Sequence, residues 1–208
     1  MKVIPSILPE KPSGRVVVIG AGKASARMAE AVESVWGACD GLIITRYGYS
    51  RELLGIRVVE AAHPIPDIEG FKATKEIISI VHGLGKDDFV LSLISGGGSS
   101  LLCAPIDGVS LNDKQAVNQV LLSSGAPIGS MNIVRKHLSK IKGGQLAAYC
   151  YPAKMLNLSI SDVPGDNLSD IASGVTCGED SNSKDALEII RQFKLEFPKN
   201  VLTALRSG

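Results

Sequence analysis

Gly96, Gly97 and Gly98 follow the apolar run Phe89, Val90, Leu91, Leu93 and Ile94 and precede Ser99, Ser100 and the apolar pair Leu101 and Leu102. That order places three glycines where a buried strand turns toward a helix. Glycine has no Cβ and reaches φ > 0 at little cost, so the stretch Ser95 to Ser99 can aim successive N–H groups at one anion. A helix starting near Ser99 adds its positive end to the same spot. The chemistry implied is a phosphate or carboxylate cradle, although a plain tight turn uses the same residues.

A second glycine turn is built alike. Arg15 to Ile19 is a continuous apolar run suited to a strand buried on both faces, and it leads into Gly20, Ala21, Gly22, Lys23, Ala24 and Ser25. A lysine at a helix start opposes the helix dipole by a few tenths of a kcal/mol, which an anion beside it offsets. Without such an anion, Lys23 is a solvated surface residue. The Gly-x-Gly-x-x-Ser spacing is a dinucleotide fingerprint lacking its third glycine, and the next strand ends in Thr45 and Arg46 rather than in an acid that would hold a ribose.

Asp162 and Asp166 stand four apart on a turn with Pro164 and Gly165, at the carboxyl end of an apolar strand. Parallel sheets place Mg2+ ligands or a catalytic base there, whereas a turn or a helix cap uses Asp166 equally well. Asn132 and Arg135, one helical turn apart, are suited to holding a planar anion. On the same expected helix, ending at Gly143 and Gly144, Lys140 and Lys142 read as a solvated basic face. His63, between Ala62 and Pro64, reads as a loop or core histidine before it reads as an acid or base.

The elements that must position these groups follow from periodicity. Apolar runs at 15–19, 41–45, 56–62, 88–94 and 155–160 alternate with helical-period segments near 23–36, 70–82, 112–124, 130–150 and 184–193, which predicts an α/β doubly wound, mostly parallel sheet with helices on both faces. The loops Gly20–Lys23, His63–Asp67, Ser95–Ser99 and Ser161–Asp166 each follow a strand and are expected to share one crevice. Residues 1–14, with three prolines, are expected to be an extended lead-in, with one domain over 15–208. At 208 residues, 45% hydrophobic and net charge +1, the chain gives no reason to expect nucleic acid or membrane as partner. Four dispersed cysteines and three dispersed histidines offer no zinc cluster, and the cysteines read as core hydrophobes of a cytoplasmic protein.

Five ordered segments, GAGKAS (20–25), AAHPIPD (61–67), SLISGGGSSLL (92–102), NIVRKHLSKIKGGQLA (132–147) and SDVPGDNLSDIASG (161–174), together resemble the N-terminal domain of the glycerate 2-kinase family, whose second half is the MOFRL domain. The resemblance implies a Rossmann-like fold and transfer of phosphate from ATP, with Mg2+, to O2 of D-glycerate, in a cleft completed by a C-terminal domain. By it, Lys23 stands for the catalytic lysine and Ser95, Gly96, Gly97, Gly98 and Ser99 for the phosphate loop; Arg135, Lys142 and Asp162 belong to the cleft, with Asp162 and Asp166 toward metal. Members run to about twice this length, so the chain is expected to be an N-terminal half lacking the C-terminal domain. This chain has Ser130 where the family usually carries an acid, Asn167 where aspartate is frequent, and Val175 where proline is usual. Similar sequences also carry the name hydroxypyruvate reductase, which leaves a nicotinamide-dependent reductase and a non-catalytic anion-binding module as alternatives. The expected partners are glycerate, ATP and the C-terminal domain, with self-association as a further option.

Overall fold

The computed structural model describes residues 3–207. The first element is a single helical turn, α1 (Ile4–Ile7), with Pro5 in its first turn, where the missing N–H is no loss. The extended lead-in expected for 1–14 is corrected by that turn. Ile4 is buried, which gives the turn a tertiary anchor, and farther along Trp36 Nε1 donates to the Pro9 carbonyl.

Five parallel strands, β1 (Val16–Ala21), β2 (Asp40–Arg46), β3 (Arg57–Ala61), β4 (Phe89–Ser95) and β5 (Lys154–Ile160), pair in the order β3-β2-β1-β4-β5. The central strands β1 and β4 are buried without alternation because both faces are covered, β4 with Ser92 and Ser95 among its apolar residues, while the edge strands β3 and β5 carry Arg57, Lys154 and Asn157. Helix α2 (Ser25–Trp36) buries Ala26, Met28, Ala29 and Val32 on one face of the sheet; α3 (Ile68–Val81) buries Ala73, Ile77 and Val81 on the other. The sequence turns back between β1 and β4, and such a switch point opens a crevice at the carboxyl ends of the strands.

The one-turn helix α4 (Gly98–Leu101) follows β4. Then α5 (Leu111–Ser123), α6 (Ile128–His137), α8 (Ser183–Gln192) and α9 (Lys199–Ser207) build a core of their own around Val117, Leu121, Val134, Ile190 and Val201, so they stand as a helical lobe rather than as cover for the sheet. The helical segment expected over 130–150 is two helices. α6 ends at His137, and α7 (Gln145–Cys150) restarts after Gly143 and Gly144, both at positive φ. Residues 138–144 cross back toward the end of β4 instead of continuing a solvated helix.

Candidate functional site

Four strand-end loops meet. The Lys23 N–H donates to the Gly96 carbonyl at 2.9 Å, which joins the turn after β1 to the loop after β4. Lys23 Nζ lies 3.6 Å from Asp162 Oδ2, which adds the loop after β5. The His63 ring, after β3, stands against Gly97.

The glycines are required by protein neighbours. A Cβ on Gly96 would fall 2.1 Å from Asp162 Oδ2, one on Gly97 2.8 Å from the His63 ring, and one on Gly98 2.9 Å from the Ala21 carbonyl. Gly97 also holds φ at +86°, a conformation that side chains resist. The loop is thus bare so that Asp162 and His63 can close over it. The N–H groups of Gly97 and Gly98 donate to no acceptor among the described residues. Gly20 and Gly22 serve packing too: their Cβ positions coincide with Leu93 and Ser95 of β4.

Ser95 is buried, with its hydroxyl accepting from the Ala24 N–H at 3.0 Å and bonded to Ser25 Oγ at 3.1 Å, so it fixes the turn rather than facing the crevice. Ser99 is half-buried and its hydroxyl meets that of Ser173 at 2.8 Å. Ala172 and Ser173 both adopt left-handed backbone, at about 1–3 kcal/mol each for such strained positions, next to this contact. Asp166 is exposed on its turn at φ +51°. Among the described residues no three His, Cys, Asp or Glu side chains gather as a metal cluster.

Beside the glycine loop, toward the helical lobe, lies a cavity of about 540 Å³. Its lining includes Gly97, Ser99, His63, Arg135, Lys142 and Lys114, and no aspartate or glutamate. Lys142 is buried, which corrects its assignment to a solvated face: the chain leaves the helix at His137 and turns this side chain inward. Its ammonium donates to the carbonyls of Ser99 at 2.6 Å and Leu102 at 3.1 Å. Lys114, on α5, is buried likewise and donates to the carbonyls of Arg135 at 3.1 Å and Leu138 at 3.2 Å. Burial lowers the Lys142 pKa to about 7, with the Lys114 charge as the next cause, and lowers that of Lys114 to about 8. Arg135 donates through Nε to Asn118 Oδ1 at 3.3 Å and through Nη1 to Asn132 Oδ1 at 3.4 Å, and Asn132 is held in turn by Asp170 at 2.8 Å. Burial also lowers the His63 pKa, with Lys23 second, so His63 is neutral near pH 7.

The sequence expectations bring Lys23, Gly96, Gly97 and Asp162 into one crevice and Arg135, Lys142 and Ser99 into the adjoining cavity. Lys114 was not anticipated, although a lysine in register with Val117 and Leu121 on the apolar stripe of α5 is its signal. His63 stands against Gly97, in the crevice that its strand-end loop was expected to share.

A parallel sheet whose strand order reverses beside β1, with bare backbone, a lysine and a carboxylate above that point, defines a doubly wound α/β domain with a crevice at its switch point. Residues 3–206 match a family described as a domain of unknown function, DUF4147, and the chain belongs to that family. It is 52% identical over 97% of its length to a protein of Agrobacterium vitis named putative hydroxypyruvate reductase, covering 46% of that protein. It is 41% identical over 98% of its length to a Thermotoga maritima protein named D-glycerate 2-kinase, covering 50% of it. The crystal structure of a Thermotoga maritima glycerate kinase superposes with a TM-score of 0.90 at 40% identity, over 98% of this chain and 49% of that one. The chain spans about half the length of the relatives it matches.

Proposed function

We propose that this domain supplies the N-terminal part of a D-glycerate 2-kinase site, in which ATP phosphorylates the 2-hydroxyl of D-glycerate to give 2-phosphoglycerate in the cytoplasm. The observation that carries the reading is the meeting of Lys23, Asp162 and the bare Gly96–Gly97 backbone above the switch point. Phosphoryl transfer asks mainly for positioning and neutralisation of charge on the transferred group. Lys23 Nζ offers a solvent-accessible cation for that charge, and the free N–H groups of Gly97 and Gly98 offer donors to phosphate oxygens. Ser95 and Ser99 hold the loop in shape, and Arg135 and Lys142 flank it with positive charge.

Mg2+ in such sites takes one or two carboxylates and completes its shell with phosphate oxygens and water. Asp162, exposed and beside Lys23, fits as one such ligand, with Asp166 four residues on as the second carboxylate of the turn. The ion would neutralise phosphate charge there.

The reductase name of one relative favours a second reading, a nicotinamide-dependent hydroxypyruvate reductase. Thr45, at the position where a ribose-binding acid is expected, is buried and donates to the Gly22 carbonyl at 3.1 Å, and Gly22 is filled against Ser95. Those contacts favour the kinase. The test is product analysis on the enzyme carrying this domain: 2-phosphoglycerate from D-glycerate, ATP and Mg2+ supports the kinase, and NADH oxidation with hydroxypyruvate but no phosphate transfer overturns it.

A further inference from the structure

We propose that the cavity flanked by Lys114, Lys142 and Arg135 is the acceptor subsite, that it binds the carboxylate of a small 2-hydroxy acid, and that Lys114 is a substrate-binding residue in it. This inference rests on the kinase reading for the identity of the acid, and on the cavity itself for the rest.

An ammonium has three N–H donors. Lys114 Nζ gives two to the Arg135 and Leu138 carbonyls and Lys142 Nζ gives two to the Ser99 and Leu102 carbonyls, so each keeps one donor. Both side chains line the same cavity, as does the Arg135 guanidinium, and none of the three is paired with a carboxylate among the described residues. Buried charges are ordinarily paired, and three unpaired cations around one empty space leave the pairing to an incoming anion. Capping of the last turn of α6 accounts for the Lys114 carbonyl contacts, but it accounts neither for Lys142 and Arg135 converging on the same space nor for the absence of acids from its walls.

The anion is assigned as a carboxylate because of what the walls lack. A nucleotide brings a divalent cation that needs carboxylate ligands, and Asp162 stands with Lys23 above the glycine loop, outside the cavity lining. Asn118 also lines the cavity; its Oδ1 accepts from Arg135 Nε, which leaves its Nδ2 to donate to a hydroxyl group of a short acid. The two assignments place donor and acceptor on either side of Gly97, whose backbone borders both.

The cations also give the site a signature of its own. Burial pushes Lys142 to about 7 and Lys114 to about 8, so at pH 8 they are in part uncharged until an anion restores the charge. Of the other groups facing them, Arg135 stays charged, the Cys103 thiol is pushed up and stays neutral, and His63 is pushed down and stays neutral. Binding of a carboxylate at pH 8 is therefore accompanied by proton uptake, drawn by the lysines.

Calorimetry of the 208-residue chain with D-glycerate, at pH 8 in buffers of differing ionisation enthalpy, tests this. The expected result is saturable binding with proton uptake, insensitive to pyrophosphate, and weakened by about tenfold or more in Lys114→Met, the loss of one charge-assisted hydrogen bond. Affinity for MgATP in that variant should stay within about twofold. Should Lys114→Met not fold, the proton uptake and the pyrophosphate competition on the parent chain decide alone. Absence of glycerate binding, binding without proton uptake, or displacement of glycerate by pyrophosphate overturns the assignment. Glycerate binding without 2-phosphoglycerate formation by the enzyme carrying this domain overturns the kinase reading and leaves this one standing.

Discussion

Lys23 Nζ and Asp162 Oδ2 lie 3.6 Å apart over the end of β4, a strand to which neither residue belongs. The two come from loops after β1 and β5, which are separated by β4, and they meet only because Gly96 between them has no side chain. Gly96→Ala places a methyl group 2.1 Å from the Asp162 carboxylate, and the exposed Asp162 side chain is what gives way. The fold should survive with a melting temperature close to the parent, while kcat of the enzyme carrying this domain should fall by about 10², the scale of a misplaced reacting group. Thermal melts and steady-state kinetics on the same preparation check it, and unchanged kcat would show that the Lys23 and Asp162 pair is ornamental.

Removal of the cation is the complementary test. The side chains of Lys23 and Asp162 are 41% and 57% exposed, so their ion pair contributes about 0–1 kcal/mol to stability. Lys23→Ala should therefore melt like the parent and lose about 10²-fold or more in kcat, the loss expected for one preorganised electrostatic group. Retained turnover would return Lys23 to the ordinary surface.

The buried pair Lys136 and Glu179 behaves oppositely. It joins α6 to the segment before α8 with side chains 6% and 16% exposed; burial is the largest single effect on Glu179 and raises its pKa, but the contacts with Lys136 and Ser181 together outweigh it and leave the pKa lowered. Glu179→Gln strands the lysine charge, and urea unfolding should show a loss of about 3–5 kcal/mol. A loss below about 1 kcal/mol would mean that water reaches the pair.

How far the sequence carried depended on whether a residue's fate was local. The strands were legible because Val16 to Ala21 and Phe89 to Ile94 are apolar runs, broken only by Ser92, a pattern set by the covered sheet and visible in the residues themselves. The crevice was legible because strand order places the loops after parallel strands side by side. Lys142 was not, since its direction depends on α6 stopping at His137, where no proline or glycine marks the end. Lys114 was hidden for a related reason. Its position on the stripe of Val117 and Leu121 points it inward, but only the carbonyls at the end of α6, twenty residues and more away in sequence, make burial tolerable.

Those buried lysines give a pH dependence with a definite sign. In the fold Lys142 loses its proton near pH 7 and Lys114 near pH 8, while in the unfolded chain both hold theirs to about 10.5. Between about 7 and 10.5 the unfolded state binds more protons, so stability rises with pH in that window, by up to about 1.4 kcal/mol per pH unit for one lysine. Lys142→Met removes one titrating group, and its stability should climb less steeply between pH 7 and 9 than that of the parent. Urea unfolding at three pH values measures both slopes, and identical slopes would place the Lys142 ammonium in water.

The last expectation concerns what the 208 residues do alone. With the Lys23 side chain 41% and that of Asp162 57% exposed, water has access to the place where phosphate charge is to be neutralised, and screening there weakens each interaction. Phosphoryl transfer gains from holding donor and acceptor together, a gain of up to about 7–11 kcal/mol in well-oriented systems, and a crevice this open to water forgoes much of it. The relatives that the chain matches are about twice its length. The isolated chain should bind its ligands yet form 2-phosphoglycerate from D-glycerate, ATP and Mg2+ at well under about 1 per second, the lower edge of ordinary kinase rates. Addition of the C-terminal half of a full-length relative in trans should raise that rate. Ordinary turnover by the 208 residues alone would mean that Lys23, Asp162 and the three-cation cavity already make a complete site.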